Sequence, residues 1–309
     1  MIHTPMDVLT AFPVRKSGKQ KQAFRDAVQT YARDLGYETS VEKGNGAHNV
    51  IIGNPDTAKY LVTAHYDTCA RMVVPNLITP CNFFTFILYQ LFVTGMFFAA
   101  AIAVGSAAGV LAKDAVLGRM VGYGVVWVLL ILMMVGPANK HNANDNTSGV
   151  VTVLEIARTM PEMHRDKVCF VLFDLEEVGL FGSAAYRQKH KKQSNDQIVL
   201  NLDCVGDGDE IVFFPRKKLC KDEQKLRHLC SCVGRYGEKS IAVKNKGFRI
   251  YPSDQTQFPY GVGIAAFHRK KWVGLYCARI HTPKDTVLEL TNVNILRAAI
   301  TSLISTDAA

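Results

Sequence analysis

The sequence predicts an α/β fold, a three-layer sandwich in which helices flank a mainly parallel central sheet, interrupted by a two-helix transmembrane hairpin. Two observations carry this prediction. Short, nearly continuous apolar runs alternate with longer segments of helical periodicity, as in folds whose parallel strands are buried on both faces. Residues 72–139 carry only three charged side chains in 68 positions, whereas 60 of the other 241 residues are charged, which is typical of a soluble domain.

The soluble elements follow from the pattern in chain order. A first helix is predicted over residues 19–35, because Val28 and Ala32 continue an apolar stripe and Gly36 then ends it. Strands are predicted at 49–52, 60–63, 168–173, 198–202 and 264–267. Further helices are predicted at about 148–159, near Ala184 and at about 292–305. This alternation is what an α/β sandwich requires.

The apolar block predicts two membrane-spanning helices. Residues 83–111 carry no charge over 29 positions. A helix of that length reaches roughly 44 Å, more than the roughly 30 Å of a bilayer's hydrocarbon core. Residues 120–136 add 17 uncharged positions, and the three charges of the block lie in the turn between the two runs. Glycines four residues apart in each run are typical of helices that pack closely in lipid. The alternative is an apolar hairpin buried in a dimer interface.

The hairpin divides the chain into three parts. Residues 1–78 and 138–309 are expected to form one soluble domain, and residues 79–137 to form the hairpin. A hairpin returns the chain to the side it left, so both soluble parts share one membrane face. The positive charges flanking the two ends balance and do not choose that face. The first residues lack the apolar core of a secretory signal, and the eight cysteines include no CxxC pair, so the cytoplasmic face is expected.

The net charge of +9 raises the question of nucleic-acid binding. No basic and aromatic motif of a known nucleic-acid-binding module is present, so no nucleic-acid partner is expected. Basic clusters at 189–192, 216–218 and 269–271 are expected to form solvated faces, which beside a membrane favour anionic lipid headgroups. The lipid bilayer is therefore the expected macromolecular partner, and the sequence leaves the oligomeric state open.

Histidines and carboxylates concentrate in five short segments, most of them where strands are predicted to end. The segments are 63–68, 144–149, 173–179, 201–203 and 281–286. In open α/β sheets, ligands bind beyond the carboxyl ends of the strands. Taken alone, Asp145 would be read as a helix N-cap. Taken together, two histidines and several carboxylates match the ligands of a catalytic zinc ion.

This ordered set of motifs resembles the co-catalytic di-zinc aminopeptidases, metallopeptidase family twenty-eight, from about residue 20 to the end of the sequence. The resemblance implies an enzyme that hydrolyses the N-terminal peptide bond with two zinc ions per chain. It implies five metal ligands: His65 and Asp203 on one ion, Glu177 and His281 on the other, and Asp145 bridging both.

The resemblance also assigns two catalytic carboxylates. Glu176 matches the general base, which takes a proton from the metal-bound water as the hydroxide attacks the peptide carbonyl, and then gives it to the leaving amine. Asp67 matches the carboxylate that orients the ligand His65. In this family the free α-amine of the substrate settles against the metals, so a peptide with a free N-terminus is the implied substrate.

The sequence departs from the family at two positions. Ile280 stands where many relatives carry a tyrosine that stabilises the oxyanion, which leaves Tyr251, Tyr260 and Tyr276 as candidates for that role. Gln255 stands where a histidine is common in a loop that borders the specificity pocket.

Three alternatives share this scaffold. They are a glutaminyl cyclase-like acyltransferase, an N-acyl amino acid amidohydrolase and a non-enzymatic receptor or scaffold. Retention of all five ligands and of Glu176 disfavours the scaffold, and the pair Asp145 and Asn146 with His65 favours two metals over the cyclase. The hairpin falls between Asp67 and Asp145, so two roles are open for it: to bring apolar, membrane-proximal peptides to the site, or only to anchor the chain.

Overall fold

The computed structural model describes residues 1–72, 74 and 76–307. Its α-helices are α1 (Asp7–Ala11), α2 (Gly18–Asp34), α3 (Phe83–Ala112), α4 (Ala115–Val135), α5 (Gly149–Thr159), α6 (Phe181–Lys189), α7 (Lys217–Lys221), α8 (Glu223–Cys230) and α9 (Leu290–Thr306). Its strands are β1 (Thr39–Gly44), β2 (Ala47–Ile52), β3 (Tyr60–His65), β4 (Val168–Phe173), β5 (Ile198–Leu202), β6 (Glu210–Pro215), β7 (Gly234–Tyr236), β8 (Lys239–Val243), β9 (Gly261–Lys270) and β10 (Gly274–Tyr276).

The strands form one sheet in the order β1-β2-β4-β3-β5-β9-β6-β8-β7, with β10 paired to β9. The central strands β4, β3, β5 and β9 run parallel to one another. Antiparallel pairs extend the sheet on both sides of this centre: β2 pairs with β4, β1 pairs with β2, and β6 pairs with β9. The predicted α/β class is confirmed, but a mainly parallel sheet describes only its centre. At one edge, Asn45 and Gly46 adopt positive φ and close β1 and β2 into a tight hairpin, which is too short for the crossover that parallel strands need.

Helices cover both faces of the sheet. Phe24 and Val28 of α2 pack with α5 and α9 on one face, and Tyr186 of α6 packs on the other. Helix α2 begins at a capping box formed by Ser17 and Gln20. The chain leaves this helix through Gly36 at φ +86°, as the sequence predicts.

The strand register brings the carboxyl ends of three parallel strands to one edge. His65 at the end of β3 lies opposite Phe173 at the end of β4, and Thr63 lies opposite Asn201 in β5. All residues of these three strands are buried, so the strand ends are held within the packed core. Residues that directly follow the strands therefore emerge side by side, where ligands bind in α/β sheets.

Helices α3 and α4 form an antiparallel hairpin that projects its apolar side chains outward. Both helices are long and apolar enough to cross a membrane, and only 6% of the most apolar window of each is buried. Phe84 and Leu111, for example, are 84% and 86% exposed. Helix α4 begins five residues before the predicted start, because the Asp114 carboxylate caps it by accepting from the backbone N–H groups of Val116 and Leu117.

Glycines let the two helices of the hairpin approach closely. A Cβ atom on Gly105 would lie 2.6 Å from the carbonyl oxygen of Gly118, and one on Gly118 would lie 2.9 Å from the Cα of Gly109. The small residues therefore allow the two backbones to pack closely against each other.

Candidate active site

The predicted site residues lie together at the carboxyl edge of the central strands. His65 ends β3, and Asp203 directly follows β5. Glu176 and Glu177 lie in the turn after β4, in which Leu175 adopts φ +58°. The other two come from loops. Asp145 lies in an irregular buried turn just before α5, and His281 lies in the segment between β10 and α9 with φ +61°.

Two groups of side chains that could hold a metal ion meet at Asp145. On one side, His65 Nε2 lies 3.3 Å from Asp145 Oδ1 and 3.8 Å from Asp203 Oδ1. On the other side, His281 Nε2 lies 2.9 Å from Asp145 Oδ2 and 3.3 Å from Glu177 Oε2. The two oxygens of one carboxylate thus face the two imidazoles. His65, Asp145 and Asp203 offer three ligand atoms within 4.8 Å of one another.

The donor set fits divalent cations and is poorly satisfied without them. Glu177 Oε1 is buried and has no hydrogen-bond partner. Burial raises the pKa of Glu177 to about 8, with the nearby Asp145 also contributing. A buried carboxylate oxygen without a hydrogen-bond partner needs a nearby cation or a proton, and a bound metal ion would supply the cation.

Asp67 fixes both His65 and the glutamate turn. His65 Nδ1 lies 3.1 Å from the carbonyl oxygen of Asp67 and 3.5 Å from its carboxylate, which leaves Nε2 free to face Asp145 and Asp203. The carboxylate of Asp67 also accepts from the backbone N–H of Glu176 at 3.1 Å and of Glu177 at 3.2 Å. One side chain therefore aligns three residues of the site.

Glu176 occupies an environment that favours its protonated form. Burial raises its pKa well above the usual range, and the neighbouring carboxylates of Asp203, Asp254 and Glu177 add to the effect, whereas His65 opposes it. A carboxylate with a raised pKa is suited to accept and return a proton near neutral pH.

Sequence reasoning missed several residues that hold the motifs together. The fully buried Arg15 donates to the carbonyl oxygens of Tyr66 and Phe12 and to the hydroxyl of Thr147. Asp285 accepts from the backbone N–H groups of Asn144 at 2.7 Å and of Asp145 at 3.0 Å. Asp285 lies in the fifth motif, so a signal for it existed, but Arg15 lies outside every motif.

Asn146 links the bridging turn to β5. Its side-chain N–H donates to the Leu202 carbonyl at 2.9 Å, and its side-chain oxygen accepts from the backbone N–H groups of Gly149 and Cys204. The Asn146 side chain therefore holds the segment that carries Asp145 against the segment that carries Asp203. Both of these carboxylates lie near His65.

Cys69 is an unexpected neighbour of the second group. Its sulfur lies with Glu177 and His281 in a set of three ligand atoms within 4.8 Å. Burial raises the pKa of its thiol, with Glu177 and Asp145 adding to the effect, and the sulfur lies 3.3 Å from Asn142 Oδ1. Because metals bind the thiolate, this neutral thiol is a poorer ligand than Asp145.

Among the tyrosines considered for the oxyanion, Tyr251 lies next to the site. Its hydroxyl donates to the carbonyl oxygen of Asp203 at 2.9 Å. Tyr260 instead contacts Lys218 and Lys225 through its ring, and Ile280 is buried in an apolar cluster against which Tyr251 also packs.

The hairpin is attached at the margin of the site. The backbone N–H of Arg71 donates to the Pro137 carbonyl at 2.8 Å, and that of Asn139 donates to the Cys69 carbonyl at 3.1 Å. The stem of the hairpin therefore begins at Arg71, two residues after Cys69, whose sulfur lies near His281.

Comparisons with known proteins agree on one family. The sequence pattern described as Peptidase family M28 matches residues 130–303. Aminopeptidase YwaD of Bacillus subtilis (strain 168) is 40% identical over 67 residues, which cover 21% of this chain and 15% of that protein. The match to this curated relative thus spans less than a fifth of its length.

Solved structures share the fold at low identity. A Zn-dependent exopeptidase from Parabacteroides distasonis ATCC 8503 superposes with a TM-score of 0.61 at 15% identity, covering 96% of this chain and 94% of that one. The LapA aminopeptidase of Legionella pneumophila superposes with a TM-score of 0.58 at 16% identity, covering 99% of this chain and 70% of that one. A glutaminyl cyclase of Porphyromonas gingivalis superposes with a TM-score of 0.58 at 15% identity, covering 96% of this chain and 94% of that one. The match at 130–303 spans more than half of the sequence, and the chain belongs to peptidase family M28.

Proposed function

We propose that the chain is a zinc-dependent aminopeptidase that hydrolyses the N-terminal bond of peptides with a free α-amine. The observation that carries the proposal is the sharing of Asp145 between two groups of ligand atoms, one with His65 and Asp203 and one with His281 and Glu177. Family membership supports it, as do the aminopeptidase and exopeptidase names of the relatives.

Two zinc ions per chain would be held by five residues: His65, Asp145, Glu177, Asp203 and His281. When bound, zinc supplies Lewis acidity, which polarises a peptide carbonyl and lowers the pKa of water. The oxygen and nitrogen donors at the site suit this ion, because catalytic zinc is commonly held by histidine and carboxylate ligands.

Glu176 would act as general base and then as general acid. In its ionised form Glu176 would take a proton from the attacking water, and in its protonated form, which burial favours, it would give that proton to the leaving amine. Asp67 would keep Glu176 in place through the backbone hydrogen bond and hold His65 in its ligating orientation. Tyr251 lies next to the site, and its hydroxyl would stabilise the oxyanion by exchanging its hydrogen bond to the Asp203 carbonyl for one to the substrate.

The test compares the chain with Glu176→Gln on free-amine peptides, N-acetylated peptides and peptides with N-terminal glutamine. We expect about two zinc ions per chain, cleavage of free-amine peptides only, and loss of at least about a hundredfold in kcat for the variant with zinc retained. Equal cleavage of acetylated peptides would indicate an amidohydrolase. One zinc ion with ring closure of glutamine would indicate a cyclase, and no zinc would indicate a scaffold.

We further propose that the hairpin anchors the chain in a lipid bilayer, dividing one peptidase domain into residues 1–78 and 138–309. The outward-facing apolar side chains of both helices support this. The soluble parts would share the cytoplasmic face, which is supported by eight free cysteines. Labelling of an added C-terminal tag in intact cells checks the assignment: reagents that do not cross membranes should reach the tag only after lysis.

A further inference from the structure

A groove beside the candidate metal site is lined by basic side chains and by no acidic one. It has a volume of about 990 Å³ and lies between the segment that follows β6 and the loop 245–252. Five cations line it: Arg216, Lys217, Lys218, Lys246 and Arg249. A concave surface of one charge sign concentrates the electrostatic potential and attracts ligands of the opposite sign.

The cations of this basic groove have no acidic partners. Among the residues that the structure describes, no carboxylate lies within 4.0 Å of any of the five. Arg249 Nη2 donates weakly to the sulfur of Cys220, and its Nη1 is buried without a hydrogen-bond partner. A buried guanidinium N–H that lacks an acceptor is costly, so an anionic ligand in the groove would complete it.

The groove shares a wall with the metal site. Tyr251 and Gln255 line the groove. From the same positions, the Tyr251 hydroxyl donates to the carbonyl of Asp203, and the Gln255 side-chain oxygen accepts from Asn201 at 3.0 Å. A chain leaving the site past Tyr251 would therefore enter the basic groove.

We propose that the basic groove binds acidic residues of the peptide substrate, downstream of the bond that is cleaved. This rests on the proposed aminopeptidase function and adds a substrate class to it. The cations, which lack carboxylate partners, would match the acidic side chains of the peptide, and the aromatic ring of Phe248 in the groove would pack against it. The concave shape and the wall shared with the metal site favour a peptide chain over lipid headgroups, although Phe248 also contacts Phe83 at the start of α3.

The test uses the full-length chain in a neutral detergent. Two peptides share their N-terminal residues and carry either four glutamates or four glutamines downstream. We expect kcat/KM to be about tenfold higher for the glutamate peptide, mainly through KM, and the ratio to fall with added salt. In Lys217→Gln/Lys246→Gln, two exposed positions whose exchange should not disturb folding, the ratio should fall towards one. Arg249→Gln should lower it as well.

The control and the contrary outcomes separate the two proposals. Lys191→Gln/Lys192→Gln removes two exposed lysines outside the groove and should keep the full ratio. Equal kcat/KM for both peptides in the unchanged chain overturns the groove proposal while leaving the aminopeptidase intact. No cleavage of either peptide, or of any free-amine peptide, overturns the aminopeptidase instead. A third outcome would also overturn the groove proposal: phosphatidylserine in nanodiscs alters turnover, peptide charge has no effect, and Lys217→Gln/Lys246→Gln removes the lipid effect. The groove would then bind lipid headgroups instead of peptide carboxylates.

Discussion

At the residue scale, the site depends on side chains that ligate nothing. Asp285 accepts from the consecutive backbone N–H groups of Asn144 and Asp145. Arg15 joins the loops of Tyr66 and Thr147. The proposed ligands can be named as candidates from the sequence, because each lies in one of the five short motifs. Arg15 cannot, because its partner Thr147 is 132 residues away and no local pattern marks the contact.

Asp285→Asn should weaken zinc binding without unfolding the chain. An asparagine offers one acceptor where the carboxylate uses two oxygens, and its N–H₂ group would face a backbone donor. Loss of such an outer hydrogen bond typically lowers metal affinity about 10- to 100-fold. Zinc titration of the metal-free variant checks this, with exposed Asp196→Asn as the control. Unchanged zinc affinity with normal activity would show that Asp285 does not position Asp145.

Arg15→Met should destabilise the folded chain strongly. The change leaves the carbonyl oxygen of Tyr66 without this donor and removes a buried cation from the neighbourhood of Asp67 and Asp145. Breaking a buried charge network costs about 3 to 5 kcal/mol in unfolding free energy. Denaturant unfolding of the detergent-solubilised chain measures it, and exposed Arg227→Met should change stability by less than about 0.5 kcal/mol. A loss below that of the control would contradict the role given to Arg15.

At the element scale, burial decides which boundaries the sequence predicts. Strands β4 and β5 have the predicted ends, since each is a buried, largely apolar run bounded by a polar residue on both sides. The observed start of α4 differs from the predicted one, because the cap at Asp114 sets the first residue of the helix and the absence of charge does not. The antiparallel edges were also missed, because hydrophobic runs indicate burial but not strand direction.

Gly149→Ala should separate α5 from β5. A Cβ atom there would lie 2.4 Å from both Asn146 Oδ1 and the carbonyl oxygen of Leu202, and neither partner is at the end of a long flexible side chain. Overpacking of this kind costs about 1 to 3 kcal/mol. We expect a lower midpoint of denaturant unfolding together with lower zinc content. Gly18→Ala, which meets no atom within 4 Å at the start of α2, is the matched control. Equal stability of both variants would show that the close approach is not limiting.

Gly105→Val should loosen the hairpin. Its side chain would enter the space held by the Gly118 carbonyl oxygen, 2.6 Å from the first added carbon. Gly95→Val lies on the same helix with nothing within 4 Å and should be tolerated. Thermal unfolding in neutral detergent distinguishes the two: the variant at 105 should unfold at lower temperature than the variant at 95. The same midpoint for both would mean that α3 and α4 do not depend on this contact.

At the scale of the whole molecule, one edge of the sheet gathers the candidate site, and the hairpin extends from the margin of that site. The observed contacts of the hairpin with the α/β domain include the backbone stem near Cys69 and the packing of Phe83 and Phe86 on Phe248. The helices otherwise contact mainly each other. The α/β domain is therefore expected to fold without them.

Deleting residues 83–136 and joining the ends by a flexible glycine and serine linker tests the anchor. Residues 79–82 are kept, because Thr79 is buried and the Pro80 carbonyl accepts from the backbone N–H of Ile250. We expect a chain that is soluble without detergent, no longer sediments with membranes, and still cleaves short soluble peptides. If the hairpin also brings substrate to the site, cleavage of apolar peptides embedded in vesicles should fall selectively. A different outcome would contradict the anchor: a full-length chain that is soluble without detergent and dimeric, and a deletion variant that is monomeric. The hairpin would then be an interface between subunits, because a second copy rather than lipid would cover its exposed apolar faces.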